Sequence, residues 1–322
     1  MRQVMIALIP GTLVYAWLFN AAVFVQILIC CCSCIITEAI ILQLRKRPAL
    51  PRITDGSAVL AGWLLALAIP PIAPWWIAVV GGVTAMLLGK HLYGGLGFNP
   101  FNPAMVGYAF LLVSFPVEMT LWPIDNLTSD LSHPGFIDSI LAIFGAGAEN
   151  SADWDALTRA TPLDRLKQTT VYASGNDAGK TQSDIHGIVG LHVWEWVNAA
   201  WLIGGIWLIR QRTIPWQTPA FMLVGLFLSQ LLIWWLTDGN VMNPLASLFA
   251  GSAMLGAFFI ATDPVSSATT PLGKVLYAFG IGILTGFIRQ YSNYPEGIAF
   301  AVLLMNCMAP VLDHLCRRPG FK

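Results

Sequence analysis

Long apolar runs joined by short polar segments make up most of this chain, and a single long polar interval at 123–192 divides it. A bilayer span takes about 20 predominantly apolar residues. The run 4–44 is about twice that length with a weak break at Asn20, so it predicts two helices. Segments 57–75, 76–88 and 104–122 predict three more, the second of them short. Beyond the polar interval the apolar pattern resumes at 194–209, 215–236, 241–262, 275–288 and 295–312. The total is about ten transmembrane helices in an all-α polytopic protein, divided into 1–122, a loop domain at 123–192, and 193–322. Within the loop, 136–144 reads as a short amphipathic segment at the membrane interface.

Composition strengthens the membrane reading. Hydrophobic residues make up 56% and charged residues 11%, against roughly 25% charged in soluble domains. The 13 tryptophans suit the aromatic belts of a bilayer. A formal net charge of +0 leaves no electrostatic footprint for nucleic acid. The apolar N-terminus runs on without a polar mature region behind it, so it is expected to be a retained helix and not a cleaved signal.

Of the 17 Lys and Arg residues, only Arg159, Arg165, Lys167, Lys180 and Arg289 fall outside if both termini are cytoplasmic. That bias sets the N and C termini inside and the polar interval on the external face, periplasmic in a Gram-negative bacterium.

The two halves echo one another. Leu60-Ala61-Gly62 with its apolar run to Ile69-Pro70-Pro71 parallels Phe249-Ala250-Gly251 with its run to Thr262-Asp263-Pro264. Joints rich in Gly, Pro and Asn recur at Tyr93–Pro103 and Tyr291–Gly297, each following a short span. Five helices is an odd number, so two such repeats are inverted in the membrane, and interrupted segments at matching places point to a transport pathway or binding site. Tight turns between helices are the plainer alternative.

Candidate chemistry is sparse. The phosphate-binding Gly-x-x-x-x-Gly-Lys, Gly-x-Ser-x-Gly and His-Glu-x-x-His patterns are absent, and no catalytic residue is assigned. Successive positions in the run Cys30-Cys31-Cys32-Ser33-Cys34 point about 100° apart on a helix, which favours packing over a metal site. Histidines 91, 133, 186, 192 and 314 lack metal-ligand spacing, so no metal is expected. Glu38 and Asp263 are acids inside or beside spans, functional suspects by cost. For Glu38, pairing with the arginines after helix two and a functional role stand as equal alternatives; for Asp263 a turn at Pro264 is the commoner explanation, and neither makes a convincing proton relay.

Thr161 stands in Asp155-Ala156-Leu157-Thr158-Arg159-Ala160-Thr161-Pro162-Leu163. Elementary helix rules make it an N-cap, with Pro162 at the first helical position and Asp164 at the third, opening a helix at 163–168. The same nine residues resemble the flavinylation motif of the NqrB/RnfD family, membrane subunits of the sodium-pumping quinone reductase and of the Rnf electron-transport complex. Ile69-Pro70-Pro71-Ile72-Ala73-Pro74-Trp75-Trp76, Leu92-Tyr93-Gly94-Gly95-Leu96-Gly97, Asn99-Pro100-Phe101-Asn102-Pro103-Ala104-Met105, Thr262-Asp263-Pro264-Val265 and Tyr294-Pro295-Glu296-Gly297 extend the resemblance over nearly the whole chain. In length the chain is nearer the RnfD branch, since the N-terminal extension of NqrB is missing. Arg159 departs from the small or uncharged residue usual in the motif, at a variable position.

The resemblance implies FMN bound covalently, its phosphate esterified to the Thr161 hydroxyl, and a second, non-covalent flavin such as riboflavin that the sequence does not place. It implies a bacterial inner-membrane subunit of an ion-translocating oxidoreductase, passing electrons at the periplasmic face with coupled H⁺ or Na⁺ movement. The implied partners are the other membrane subunits, a periplasmic flavin subunit, cytoplasmic iron–sulfur and flavin subunits, and a flavin transferase for maturation. Ser266-Ser267-Ala268-Thr269 also fits the hydroxyl-x-Ala-Thr pattern, but on the cytoplasmic side. A channel or secondary transporter without redox function, or a passive scaffold, is the alternative that the repeat pattern alone allows.

Overall fold

Helices here bury polar groups within an apolar core and leave large apolar side chains exposed. Gln26, Glu38, Asn198, Gln230, Thr285 and Asn306 are buried, while Leu13, Trp17, Leu28, Ile36, Ile203 and Trp235 are exposed. Lipid as the surrounding solvent accounts for both, because apolar side chains lose nothing by facing it and buried polar groups must find partners within the protein. The computed structural model describes residues 1–48, 50–123, 135–145, 158–159, 163, 192–238, 241–292, 294 and 296–316. By length and composition, Val23–Leu44, Gln217–Leu236, Pro271–Tyr291 and Ile298–Cys316 can each cross a membrane. Arg2–Leu18, Ser57–Ala68 and Pro103–Ser114 are shorter apolar helices. The protein is thus a mostly helical, multi-pass membrane protein. It divides into two compact units, Met1–Thr161 and Pro162–Lys322.

In the first unit, α1 (Arg2–Leu18) and α2 (Val23–Leu44) meet at the Asn20 break read from sequence. A short α3 (Leu50–Ile53) precedes α4 (Ser57–Ala68). The latter stops well before residue 75, because Pro70, Pro71 and Pro74 cannot donate helical hydrogen bonds; the Gln26 amide bonds the Ala73 carbonyl there. α5 (Trp75–Thr84) runs on as a π-helical segment, Ala85–His91. Asn102 then caps α6 (Pro103–Ser114), its Oδ1 accepting from Met105 N at 3.3 Å with Pro103 at the first helical position. A second proline starts α7 (Pro116–Thr120).

The cysteine run packs. A Cβ on Gly62 would lie 2.8 Å from Cys31 Cα, so α4 and α2 touch backbone to backbone. Ser33 Oγ donates to Val79 O at 2.9 Å, and Cys31 Sγ to Val59 O at 3.4 Å. Trp122–Pro123 (β1) pairs antiparallel with Thr158–Arg159 (β2). The Trp122 ring stands edge-on to Tyr15 and Phe19, with centroids 6.4 and 6.1 Å away. The amphipathic segment forms α8 (Phe136–Ile143). It buries Ser139 and Ile143, exposes Phe136, Ile137 and Leu141, and receives a 2.8 Å bond from Asn20 Nδ2 at Ser139 Oγ.

In the second unit, α9 (His192–Arg210) and α10 (Gln217–Leu236) are continuous. The apolar run at 241–262, expected to be one helix, is broken: α11 (Pro244–Leu248) ends in a turn, and α12 (Ala253–Leu255) leads into a π-helical segment, Gly256–Ile260. The cause is Gly251, whose φ of +56 takes the backbone out of the helical region. The Ala-Gly echo therefore marks different structures, a helix interior at Gly62 and a helix break at Gly251. The expectation of a short span before the second joint is also corrected, since α13 spans Pro271–Tyr291, 21 residues. Its first turn, led by the Thr270 cap and Pro271, is less apolar than the sequence window sought. α14 (Ile298–Cys316) closes the unit.

α10 and α13 approach at backbone contact. A Cβ on Gly282 would run into the Met222 carbonyl oxygen and lie 2.5 Å from Leu226 N, whereas one on Gly280 would meet only the flexible end of Met305, at 2.6 Å. Small residues at such crossings let membrane helices pack where hydrophobic burial gives no drive. Gly282→Ala is expected to destabilise by about 3 kcal/mol, the upper end of overpacking costs, since neither backbone can yield. Gly280→Ala should be neutral or stabilising, as alanine gains about 1 kcal/mol of helix propensity. Thermal denaturation of the detergent-purified variants compares them directly; equal melting would contradict the close crossing.

Candidate functional site

Thr161 itself, and the helix expected at 163–168 apart from Leu163, lie outside the described residues. On its N-terminal side the first unit holds Thr158 and Arg159 in β2, registered against Pro123 and Trp122. Leu163, in the second unit, is the apolar neighbour of Gly251: a Cβ there would meet Leu163 Cδ1 at 2.8 Å.

The rival threonine is fully described, and its hydroxyl is engaged. Thr269 Oγ1 donates to Asp313 Oδ2 at 2.8 Å, and its backbone N donates to both carboxylate oxygens. Thr270 N and Oγ1 donate to Asp313 Oδ1 at 2.9 and 2.8 Å, while Thr270 Oγ1 accepts from Gly273 N as the cap of α13. A phosphate ester on Thr269 would face this carboxylate, like charge against like. The segment is a helix cap tied to α14. Asp313→Ala is expected to lower stability by about 1 kcal/mol, as loss of a capping acceptor does, measurable as an earlier thermal transition; an unchanged transition would remove the cap from the account. Nearby, Asp263 does serve the turn expected from Pro264, accepting from Val265 N at 3.2 Å and Ser266 Oγ at 2.9 Å. Burial pushes its carboxyl above the ordinary range, and these donors offset part of that rise.

Two buried polar clusters were not foreseen. In the second unit, Arg289 reaches the break in the run 241–262. Its Nη1 donates to Ser247 O at 2.9 Å, and its Nη2 to Ala250 O at 3.1 Å and Glu296 Oε1 at 2.9 Å. Glu296 Oε2 accepts from Ser252 N at 3.0 Å. Asn198 Nδ2 donates to Phe249 O and Gly251 O at 2.9 and 2.8 Å, and Asn198 Oδ1 accepts from Met254 N. Backbone groups freed by the break are thereby satisfied away from lipid.

In the first unit, the Glu38 carboxylate meets Lys90, not the arginines that follow α2. Lys90 Nζ donates to Glu38 Oε1 at 2.5 Å and Ser57 Oγ at 2.7 Å. His91 Nε2 stands 3.6 Å from the same Glu38 oxygen. All three ionisable residues are buried. Lys90, His91 and Arg289 read as loop residues in the sequence because each sits beside a Gly- or Asn-rich joint; the π-helical segment carries the first two inward. Arg45 Nη2 instead caps the end of that segment, donating to His91 O at 2.7 Å. At the following joint, Gly94, Gly95 and Gly97 have positive φ, and Asn99 and Asn102 are buried.

Ionisable side chains kept in the interior of a multi-pass helical bundle, beside interrupted helices, are features that in membrane proteins point to an ion or substrate pathway. Residues 1–322 match the model of the NQR2, RnfD, RnfE family, and the chain belongs to that family. It is 43% identical over 326 residues to a subunit of the ion-translocating oxidoreductase complex of Escherichia coli (strain K12), covering 98% of this chain and 92% of the relative. The like-named protein from Shigella boydii serotype 18 is 44% identical over the same span.

Proposed function

We propose that this chain is a membrane subunit of an Rnf-type ion-translocating oxidoreductase complex, carrying FMN esterified through its phosphate to Thr161. The whole-chain likeness to relatives of that name carries the reading. Support for Thr161 comes from the motif Asp155–Leu163 and from the engagement of the rival Thr269 with Asp313. When bound, FMN supplies the one- and two-electron redox chemistry. The protein supplies a tether that leaves the ring electronically unmodified, and β2, held against β1, fixes the chain two residues before the anchor.

In this reading ten apolar segments form two inverted sets of five with both termini cytoplasmic. Thr161 faces the periplasm of a bacterial inner membrane, within reach of a flavin transferase. A second, non-covalent flavin such as riboflavin and the remaining subunits complete the electron path, and ion movement is coupled to it. The test is a denaturing gel of membranes from cells containing the flavin transferase, viewed under ultraviolet light, with peptide mass mapping of the band. A fluorescent band whose flavin peptide contains Thr161 supports the proposal; a dark wild-type band, or flavin on Thr269, overturns it.

A further inference from the structure

Hydrogen bonds link the buried acid of the first unit to its surface. Asp55 is exposed in the turn before α4. Its Oδ1 accepts from Ser57 N at 2.7 Å and from Ser57 Oγ at 2.5 Å. Ser57 Oγ in turn accepts from Lys90 Nζ at 2.7 Å, Lys90 Nζ donates to Glu38 Oε1 at 2.5 Å, and His91 Nε2 lies 3.6 Å beyond. Ser57 is 7% exposed, Lys90 2%, His91 1% and Glu38 0%. The series therefore leads from a solvated carboxylate to an imidazole sealed in the bundle. Among the described residues, Glu38 Oε2 and both ring nitrogens of His91 have no hydrogen-bond partner.

We propose that Asp55, Ser57, Lys90, Glu38 and His91 form a proton-transfer chain that carries a proton from the Asp55 carboxyl to His91 Nε2. In the transfer, the Lys90 ammonium gives a proton to Glu38, and Lys90 regains one from the Ser57 hydroxyl. Protonated Asp55 restores the hydroxyl, and the Glu38 acid passes its proton to His91. One proton leaves Asp55, one arrives on His91, and the three groups between end in their starting states. The 3.6 Å gap between Glu38 and His91 is closed by side-chain rotation or by a single water.

Other charged or titratable groups around the chain set its field. α2 contributes Cys34, in electrostatic reach of Lys90 and Glu38, and Arg45, bonded to His91 O. From the segment before α4, Arg52 Nη1 lies 3.1 Å from the position a Cβ on Gly95 would take, and His91 Nδ1 lies 4.0 Å from it. Lys90 sits in a π-helical segment, the kind of irregularity that clusters at functional sites. The inference does not depend on the flavin at Thr161; it needs only that the chain work in an ion-translocating complex.

The experiment uses the whole complex, purified with its flavins and reconstituted into liposomes containing a pH-sensitive dye, with turnover and sodium uptake followed in parallel. Glu38→Gln is expected to cut turnover-linked proton uptake by about 100-fold, the low end of what a positioned proton-transfer group contributes. Asp55→Asn should slow it less and be rescued by a small weak acid such as formate, a response a structural role would not give. His91→Gln should abolish the proton-linked step of the pH profile. Where Glu38→Gln fails to assemble, the Asp55→Asn rescue and the His91→Gln profile decide. Wild-type proton uptake in assembled Glu38→Gln, or Asp55→Asn that formate does not rescue, overturns the proposal. Loss of sodium uptake alone, with proton uptake intact, overturns it in favour of an alkali-cation site.

Discussion

Thr161→Ala is expected to leave the chain folded in the membrane and remove all of its covalently bound flavin. A phosphoester needs a hydroxyl oxygen on the protein side, and alanine offers none. Thr161→Ser keeps the oxygen and drops only a methyl group, so a weaker but fluorescent band is expected from it. Thr269→Val, by contrast, should fluoresce as wild type, because that hydroxyl is spent on Asp313. As a cap alone, Thr161 would contribute about 1 kcal/mol, and its loss would shift stability without touching the flavin. Gel fluorescence therefore separates anchor from cap: a bright Thr161→Ala band would leave Thr161 with only the capping role.

How far the sequence led depends on which physical signal each feature leaves. Asn20 and Asn102-Pro103 sit at or beside helix ends, because caps and prolines act locally; the Thr270-Pro271 start escaped a window that looked for apolar residues alone. Hydropathy located the apolar segments for a similar reason, since lipid acts on each residue alone. The break at Gly251 left no such trace. Its surroundings are uniformly apolar, and its stabilising partners, Asn198, Arg289 and Glu296, come from positions 53, 38 and 45 residues away, gaps that periodicity does not see. Lys90 and Arg289 misled the charge count in the same manner. Each was assigned to a loop, one on each side of the membrane, and both are buried. Removing both leaves the inside bias intact. Glu38 was legible as costly, but not its partner, because the π-helical segment that turns Lys90 and His91 inward has no composition of its own. A Lys-His pair two residues before a Gly-Gly joint, set against a lone acid in a preceding span, is the pattern that would have suggested it.

The break in the second unit gives the remaining large effect. Arg289→Met is expected to destabilise the chain by about 3 kcal/mol, the low end of the cost of breaking a buried pair, since Arg289 is buried and Glu296 only partly so. Glu296 would lose its counter-charge, and the carbonyls of Ser247 and Ala250 their donors. Ser247 and Ala250 are buried, so water does not replace the lost donors. Arg289→Lys should recover only part of the loss. An ammonium can meet Glu296 but cannot match the planar fork that spans a carboxylate and two carbonyls at once. The double variant Arg289→Met/Glu296→Gln removes the stranded charge and should be more stable than Arg289→Met alone; such non-additivity marks residues sharing one network. Thermal melting in detergent, with recovery of the assembled complex from membranes, measures the series. If Arg289→Met melts with the wild type, the broken segment is held by packing, and the guanidinium is not its brace.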